Sequence, residues 1–509
     1  MRKFRLTAVA SASFLLLAGV GTLAAPTAQA KVPGGARAAD RNCDFNGDGY
    51  EDVLLGAPGA TVSGMKGAGY VTVQYGSSRG IGTARSKVFS QSTAGVPGAA
   101  ETGDGFGTAV ASGDLNADGY DDAAIGIPRE DVGSAPDAGG VLVLWGSAKG
   151  LAGANSMWMQ DKPYARAAGA RFGYVLAAGR FTAQTPADQL IILAGKTGVG
   201  RYMFPYVRGA QRSAGAPRAV LQPMPAGAVR ASDPAGQTRQ VEPKSATTGD
   251  YDHNGFADLV LSGPGKDEDP GQSWAQYWPG GETEMLPGRD LRGGPVAATG
   301  DINGDGYDDL VTGEPYSPND GADSTTGGRI GVYYGSADGP VGVGGVGKDP
   351  KWWTQNSPGV PGSSERGDGW GTDISVADTN GDGRADVAIG AAGEDVGAVV
   401  DAGAVWILRG SAAGLTATGA KSWSQNSSGI PGTAEKGDRW GGQVRLADPD
   451  RDKRSGLLAS APGENTDDGA VWVLATGSGG VSASGSWTYG GGSLGASSVD
   501  ARFGAAIDE

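Results

Sequence analysis

Cysteine and histidine are almost absent. The 509 residues hold one of each, Cys43 and His253. A lone cysteine excludes an internal disulfide, so a chain of this size must draw its stability from packing or from bound groups. A lone histidine excludes zinc and phosphoesterase centres built on several imidazoles. A serine–histidine–acid triad would have to use His253, which stands between Asp252 and Asn254 in an acidic loop, and nothing beside Cys43 suggests a nucleophile. Basic charge is also short, with 41 Lys and Arg against 56 Asp and Glu and a net charge of −15, which argues against nucleic acid and anionic membrane partners. Beyond residue 30 no stretch of 18 consecutive apolar residues occurs, so no membrane span is expected. Long segments of 3.6-residue period are missing as well, so few helices are expected.

At the N-terminus Arg2, Lys3 and Arg5 precede the apolar run LTAVASASFLLLAGVGTLAA, and Ala28-Gln29-Ala30 fits a small-x-small cleavage site. Residues 1–30 read as a signal peptide, 31–43 as a linker and 44–509 as one repeat domain of a secreted, extracellular protein, expected as a monomer. Loss of residues 1–30 removes three basic residues and no acidic one, which moves the net charge from −15 to −18. Glycine (93) and proline (28) are abundant, but they recur in register with apolar runs and therefore punctuate turns in a β protein.

What is plentiful is the acidic loop. DFNGDGYED sets Asp44, Asn46 and Asp48 at alternate positions, follows with Gly49 and closes with Asp52. Side chains at positions 1, 3, 5 and 9, with the backbone carbonyl of Tyr50 at position 7, can surround one hard cation, and such an oxygen set suits Ca²⁺. Position 12 is Leu55, where an EF-hand needs Glu, and strands flank the loop, so an EF-hand is excluded. The pattern returns as Asp114, Asn116, Asp118, Tyr120 and Asp122; Asp250, Asp252, Asn254, Phe256 and Asp258; Asp301, Asn303, Asp305, Tyr307 and Asp309; and Asp378, Asn380, Asp382, Arg384 and Asp386. A sixth loop begins with Asp448, Asp450 and Asp452, but Gly456 stands in place of the closing carboxylate. Five full calcium sites and one partial site are expected. The competing reading is a set of Asx turns with no ion, since Asp, Asn and Gly are ordinary turn formers.

Each loop leads into an apolar strand such as VLLGAP or AAIGIP, then a Gly-rich turn and a second strand such as YVTVQYGS or VLVLWGS. Around Arg180 the strands persist while the loop RFTAQTPAD has lost most of its ligands. Seven units start at 44, 114, 180, 250, 301, 378 and 448, a spacing that fits four short strands and one propeller blade each. Eight residues before four of the starts stand Phe106-Gly107, Phe172-Gly173, Trp370-Gly371 and Trp440-Gly441, read as core aromatics beside a glycine that permits close strand approach. The units at 250 and 301 carry Glu242-Pro243 and Gly293-Gly294 instead, and different packing is expected there. The first loop has Ala36-Arg37 at that offset, while Phe503-Gly504-Ala505-Ala506-Ile507 has no loop after it. The expected fold is therefore all-β, a seven-bladed propeller whose C-terminal strand joins the first blade and closes the ring.

Units that join an aromatic-Gly strand, a DxNxDGxxD loop and a GAP-like strand, with Gly56-Ala57-Pro58 intact, resemble FG-GAP repeats, the blades of the integrin alpha-chain N-terminal β-propeller. The resemblance covers residues 44–509. It implies a seven-bladed propeller, calcium in loops at the blade edges, and extracellular adhesion or ligand binding. Integrin alpha chains continue into further domains and a membrane span that are not recognised here, so a dedicated partner subunit is not implied.

Three segments outside the loops are near copies: QSTAGVPGAAETGDGFG at 91–107, QNSPGVPGSSERGDGWG at 355–371 and QNSSGIPGTAEKGDRWG at 425–441. They hold Glu101 and Asp104, Glu365 and Asp368, and Glu435 and Asp438 at fixed places, and read as blade-to-blade connections or as a binding rim on one face. Arg366-Gly367-Asp368 falls inside this repeat and is read as part of it. Trp352, Trp353 and Trp423 lie just ahead and could stack on sugars, though core packing suits them better. The function expected is binding or adhesion toward an extracellular protein or glycan. A carbohydrate-active lyase or hydrolase using paired carboxylates, and a purely structural surface protein, stay open as alternatives.

Overall fold

Short runs rich in Val, Ile, Leu and Ala form strands that are buried along their whole length, as at Val53–Ala57, Asp122–Ile127 and Asp386–Ala391. Such continuous rather than alternating burial requires cover on both faces of the sheet. A computed structural model of the chain describes residues 43–159, 167–194, 243–264, 273–283, 285, 287–315 and 326–508, together with the backbone of the strands Gly198–Met203, Val220–Pro223, Ala231–Ser232 and Thr238–Arg239. The expected signal peptide, residues 31–42 of the linker and Glu242 lie outside the described residues.

Six four-stranded antiparallel sheets are described with their side chains. In strand order they are Ser86–Phe89, Tyr70–Gln74, Val53–Ala57 and Ala506–Ile507; Ala109–Gly113, Asp122–Ile127, Gly140–Leu144 and Ser156–Met159; Ser245–Gly249, Asp258–Pro264, Ser273–Trp278 and Asp290–Arg292; Val296–Gly300, Asp309–Glu314, Arg329–Tyr333 and Lys351–Trp353; Trp370–Ala377, Asp386–Ala391, Ala404–Arg409 and Thr416–Trp423; and Gln443–Ala447, Gly456–Ala461, Ala470–Leu474 and Trp487–Tyr489. A further four-stranded sheet pairs Phe172–Gly179 and Gln189–Ala194 with Gly198–Met203 and Val220–Pro223. Among the described residues the only α-helix is the short Glu464–Asp467. The sheets are the blades of an all-β propeller. Its central cavity, about 280 Å³, is lined by the first strands of successive sheets, including Ala111, Ala177, Thr247, Ala298, Ser375 and Arg445, and by Ile507.

The core lies between consecutive sheets rather than within any one of them. Phe45, Leu54 and Val73 pack with Phe106, Ile125 and Leu142 of the next sheet, and Val332 and Trp353 pack with Trp370, Ile389 and Trp406 of theirs. Val53, Leu55 and Tyr70 pack with Leu458, Val471, Tyr489 and Phe503. The aromatic of each aromatic-Gly pair is the joint. Phe106, Trp370, Trp440 and Phe503 are fully buried, and their N–H groups bond the preceding sheet at Ala68, Gly327, Ala402 and Asp468 over 2.7–3.1 Å.

The glycine after the aromatic explains a second one in the second strand of the preceding sheet. A Cβ on Gly390 would meet the carbonyl oxygen of Gly441 at 2.0 Å, and Gly126 faces the carbonyl of Gly173 at the same distance. Backbone rests on backbone at these joints, and no side chain fits. Gly390→Ala is expected to lower stability by about 1–3 kcal/mol, the usual range for overpacking a close contact. Gly82→Ala, where nothing lies within 4 Å, is the control. Equal denaturant midpoints for the two variants would disprove the contact.

Candidate metal centres

The acidic loops share one hydrogen-bond plan. Asp44 accepts the N–H groups of Asp48 (3.1 Å) and Gly49 (2.7 Å), and Asp48 accepts that of Tyr50 (3.1 Å). The first carboxylate takes the N–H at position 6 in every other acidic loop, from Gly119, Gly255, Gly306, Gly383 and Lys453, at 2.7–3.0 Å. Such a turn needs left-handed backbone at positions 4 and 6, which Gly47 and Gly49 supply without strain while His253 (φ 56°) and Lys453 (φ 68°) adopt it with side chains attached. His253 sets its ring 5.6 Å from that of Tyr307.

The closing carboxylates are used differently from the rest. Asp52, Asp122, Asp258, Asp309 and Asp386 are fully buried. Each accepts the N–H at loop position 2 and that of the glycine after the third strand: Phe45 and Gly76 for Asp52, Leu115 and Gly146 for Asp122, Tyr251 and Gly280 for Asp258, Ile302 and Gly335 for Asp309, Thr379 and Gly410 for Asp386. They clamp the loop to the sheet. Asp386 is also paired with Arg409 at 2.6 Å, so that loop already carries a fixed cation.

Burial pushes the Asp52 and Asp258 carboxyls up to about 8 and Asp309 to about 7, and the neighbouring loop carboxylates add to the rise. Asp114 and Asp448 rise to about 6, chiefly by burial. Among the described residues, the group of three carboxylates whose oxygens lie within 4.8 Å of one another is Asp448, Asp450 and Asp452. That loop places Asp at all three alternate positions, where the others place one Asn. The donor set throughout is hard oxygen. That fits a calcium-type cation held by the side chains at positions 1, 3 and 5.

A family model described as FG-GAP repeat matches residues 41–73, 106–144, 293–333 and 370–408, each span joining an acidic loop to the strands after it. The chain carries FG-GAP repeats. Among curated proteins, phosphatidylinositol-glycan-specific phospholipase D from Bos taurus and from Rattus norvegicus match at 34% and 33% identity over 109 residues, which is 21% of this chain and 13% of either relative. The chain therefore spans a small part of the curated relatives that it matches. Solved structures of the rhamnogalacturonan lyase YesW and of Bacillus licheniformis rhamnogalacturonan lyase PL11 align with TM-scores of 0.30 at 13% and 12% identity. They cover 55% and 72% of this chain, and 56% and 74% of their own.

The eighth position of the FG-GAP loop has a role that the ligand count passed over. Asp121 accepts the N–H of Asp44 (2.7 Å), Asp188 that of Asp114 (3.0 Å), Asp308 that of Asp250 (2.8 Å) and Glu51 that of Asp448 (2.6 Å). One loop is thereby fastened to the next. The acidic doublets Glu51-Asp52, Asp121-Asp122 and Asp308-Asp309 were the available signal. The unit at 180 has one extra loop residue, so Asp188 takes the fastening place and Gln189 the closing one, bonding Thr182 at 2.7 Å.

The remaining candidates divide. Asp368 is buried and accepts the N–H of Glu365 at 2.6 Å, so the Arg366-Gly367-Asp368 triplet belongs to its turn. Trp353 is buried in the core, and Trp352 lies under the Arg329 guanidinium at 3.7 Å. Cys43 is buried, 2.9 Å from the Ser112 hydroxyl, and burial pushes its thiol well up, the opposite of an activated nucleophile.

Proposed function

We propose that this FG-GAP propeller is a secreted, calcium-stabilised binding module of seven blades, with an extracellular protein or glycan as ligand. The observation that carries the reading is the position of the acidic loops at the joints between consecutive sheets, where a carboxylate of a neighbouring unit fastens Asp44, Asp114, Asp250 and Asp448. An ion there supports the ring rather than a cleft. Asp44, Asn46 and Asp48, with the carbonyl of Tyr50, would hold the first ion, and the equivalent residues the others. Closure of the ring is supported by the pairing of Leu55 with Ile507 and Gly56 with Ala506, and by the core shared across that joint. Secretion rests on the sequence of residues 1–30.

The test is a panel of immobilised glycans and extracellular proteins probed with the purified protein in millimolar calcium, with polysaccharide turnover followed in parallel. Retention without turnover is expected. Turnover of a polysaccharide would replace the binding module with a carbohydrate-active enzyme, and neither retention nor turnover would leave a scaffold.

A further inference from the structure

All four Asn–Gly pairs of the chain fall inside the acidic loops: Asn46-Gly47, Asn254-Gly255, Asn303-Gly304 and Asn380-Gly381. An asparagine before glycine is open to attack on its own side chain, because no β-carbon shields the nitrogen that follows. Each of these glycines is exposed and left-handed, with φ between 69° and 86°. The loop at 114 is the natural comparison, since Ala117 follows Asn116 at the places of Asn46 and Gly47.

Two contacts that such an attack uses are already made. The first can take the proton from the attacking nitrogen. The N–H of Gly304 points at the Asp301 carboxylate at 2.6 Å and that of Gly255 at Asp250 at 3.0 Å, and Gly47 bonds Asp44 in the same way. The second steadies the negative charge that gathers on the side-chain oxygen. Asn46 Oδ1 accepts the N–H of Asp48 at 2.9 Å, Asn254 Oδ1 that of Phe256 at 2.8 Å and Asn303 Oδ1 that of Asp305 at 2.8 Å. A base on the nucleophile and a donor on the oxygen are the parts that speed acyl transfer. Among the described hydrogen bonds Asn380 has only the first contact, from Gly381 to Asp378 at 2.7 Å.

We propose that Asn46, Asn254 and Asn303 are sites of spontaneous deamidation, each acidic loop modifying its own asparagine. The glycine nitrogen bonds to the asparagine Cγ and passes its proton to the first aspartate of the loop. The Cγ–Nδ2 bond then breaks, and the amide nitrogen leaves as ammonia with that proton. Water opens the resulting succinimide at either carbonyl, which gives aspartate or isoaspartate. Aspartate at these places reproduces the all-carboxylate set of Asp448, Asp450 and Asp452. Isoaspartate adds a carbon to the backbone inside the turn and displaces the N–H groups that the first aspartate holds. The reaction needs no ion in the loops, so its outcome is separate from that of the proposed function.

The experiment follows the purified full chain by peptide mass spectrometry during incubation in mildly alkaline buffer with chelator, its fold monitored by circular dichroism. The peptides that hold Asn46, Asn254 and Asn303 are expected to gain the mass of an amide-to-acid exchange, as aspartate and isoaspartate together. Asn380 should lag, and Asn116 should stay unmodified over the same period. Gly255→Ala should stop the gain at Asn254 and leave Asn46 and Asn303 as before. That variant has room, since nothing lies within 4 Å of a Cβ on Gly255, and Lys453 adopts the same left-handed place with a side chain attached. Unchanged masses at the three sites in the folded protein, or an equal gain at Asn116, would overturn the inference. Conversion confined to urea-unfolded protein would overturn it too, and an Asn380 that keeps pace would remove the part given to the donors on Oδ1.

Discussion

Removal of residues 502–509 should cost the protein about 5 kcal/mol or more and lower its thermal midpoint further than any single surface substitution. The segment is short but has three separate attachments. Phe503 is fully buried, and its N–H bonds Asp468 on the preceding sheet at 3.1 Å. Gly504 and Asp508 then donate to the carbonyls of Gly56 and Leu54 at 3.0 and 3.1 Å on the first sheet. Finally, the Asp508 carboxylate accepts the N–H of Leu54 at 3.0 Å and pairs with Arg445 at 2.5 Å. Arg445 is almost fully buried and also pairs with Glu51 at 2.5 Å. Deletion leaves that guanidinium with half its neutralising charge. Breaking a buried pair costs about 3–5 kcal/mol, and losing a buried Phe a similar amount. The two share neighbours, so their sum is an upper bound. Phe503→Ala and Asp508→Asn should each reproduce part of the loss, since one removes the apolar anchor and the other the charge. Thermal melting of the three variants beside the wild type is the check. A truncated protein with wild-type melting would refute the closure.

The elements that recur within a single unit were legible in the sequence. The aromatic-Gly joints, the acidic loops and the strands after them follow from local chemistry, and Phe503 was recognisable as a joint with no loop of its own. What escaped the reading depends on two units at once. The fastening by Glu51 of Asp448 links residues 397 apart, and Arg445 reaches Glu51 across a similar distance. No local pattern encodes such a partner, because the ring has to close before they meet. The closing aspartates were read as ligands because position 9 lies near an ion in a nine-residue loop. Full burial, with both oxygens on backbone N–H groups, makes them clamps first. The bridges from Gln91 to Glu130, from Gln355 to Glu394 and from Gln425 to Glu464 fall between these cases. Their spacing is regular, but the near-copy segments were read for their own Glu and Asp residues, and the glutamates that bond the glutamines sit outside them.

Chelation is expected to be the second large perturbation. Each acidic loop gathers three carboxylates on a turn that is also held by backbone N–H groups, as at Asp44. Loss of calcium leaves like charges close together in each acidic loop, which Arg85 on Asp48, Arg409 on Asp386 and Arg454 on Asp452 offset only in part. An ion that binds only the folded chain stabilises it by about 2.7 kcal/mol when present at a hundredfold excess over its dissociation constant. Several such sites acting on one cooperative ring make the shift large, and the thermal midpoint should fall steeply under excess chelator and return with calcium. Magnesium should restore less, because it demands near-octahedral geometry and gives up its waters reluctantly. Asp448→Ala should narrow the gap between the calcium-loaded and chelated melting curves, since Asp448 belongs to the most convergent carboxylate group described. Asp378→Ala should narrow it less, because Arg409 already supplies a positive charge 2.6 Å from Asp386 in that loop. Superimposable curves with and without chelator would rule out structural calcium and leave the loops as Asx turns.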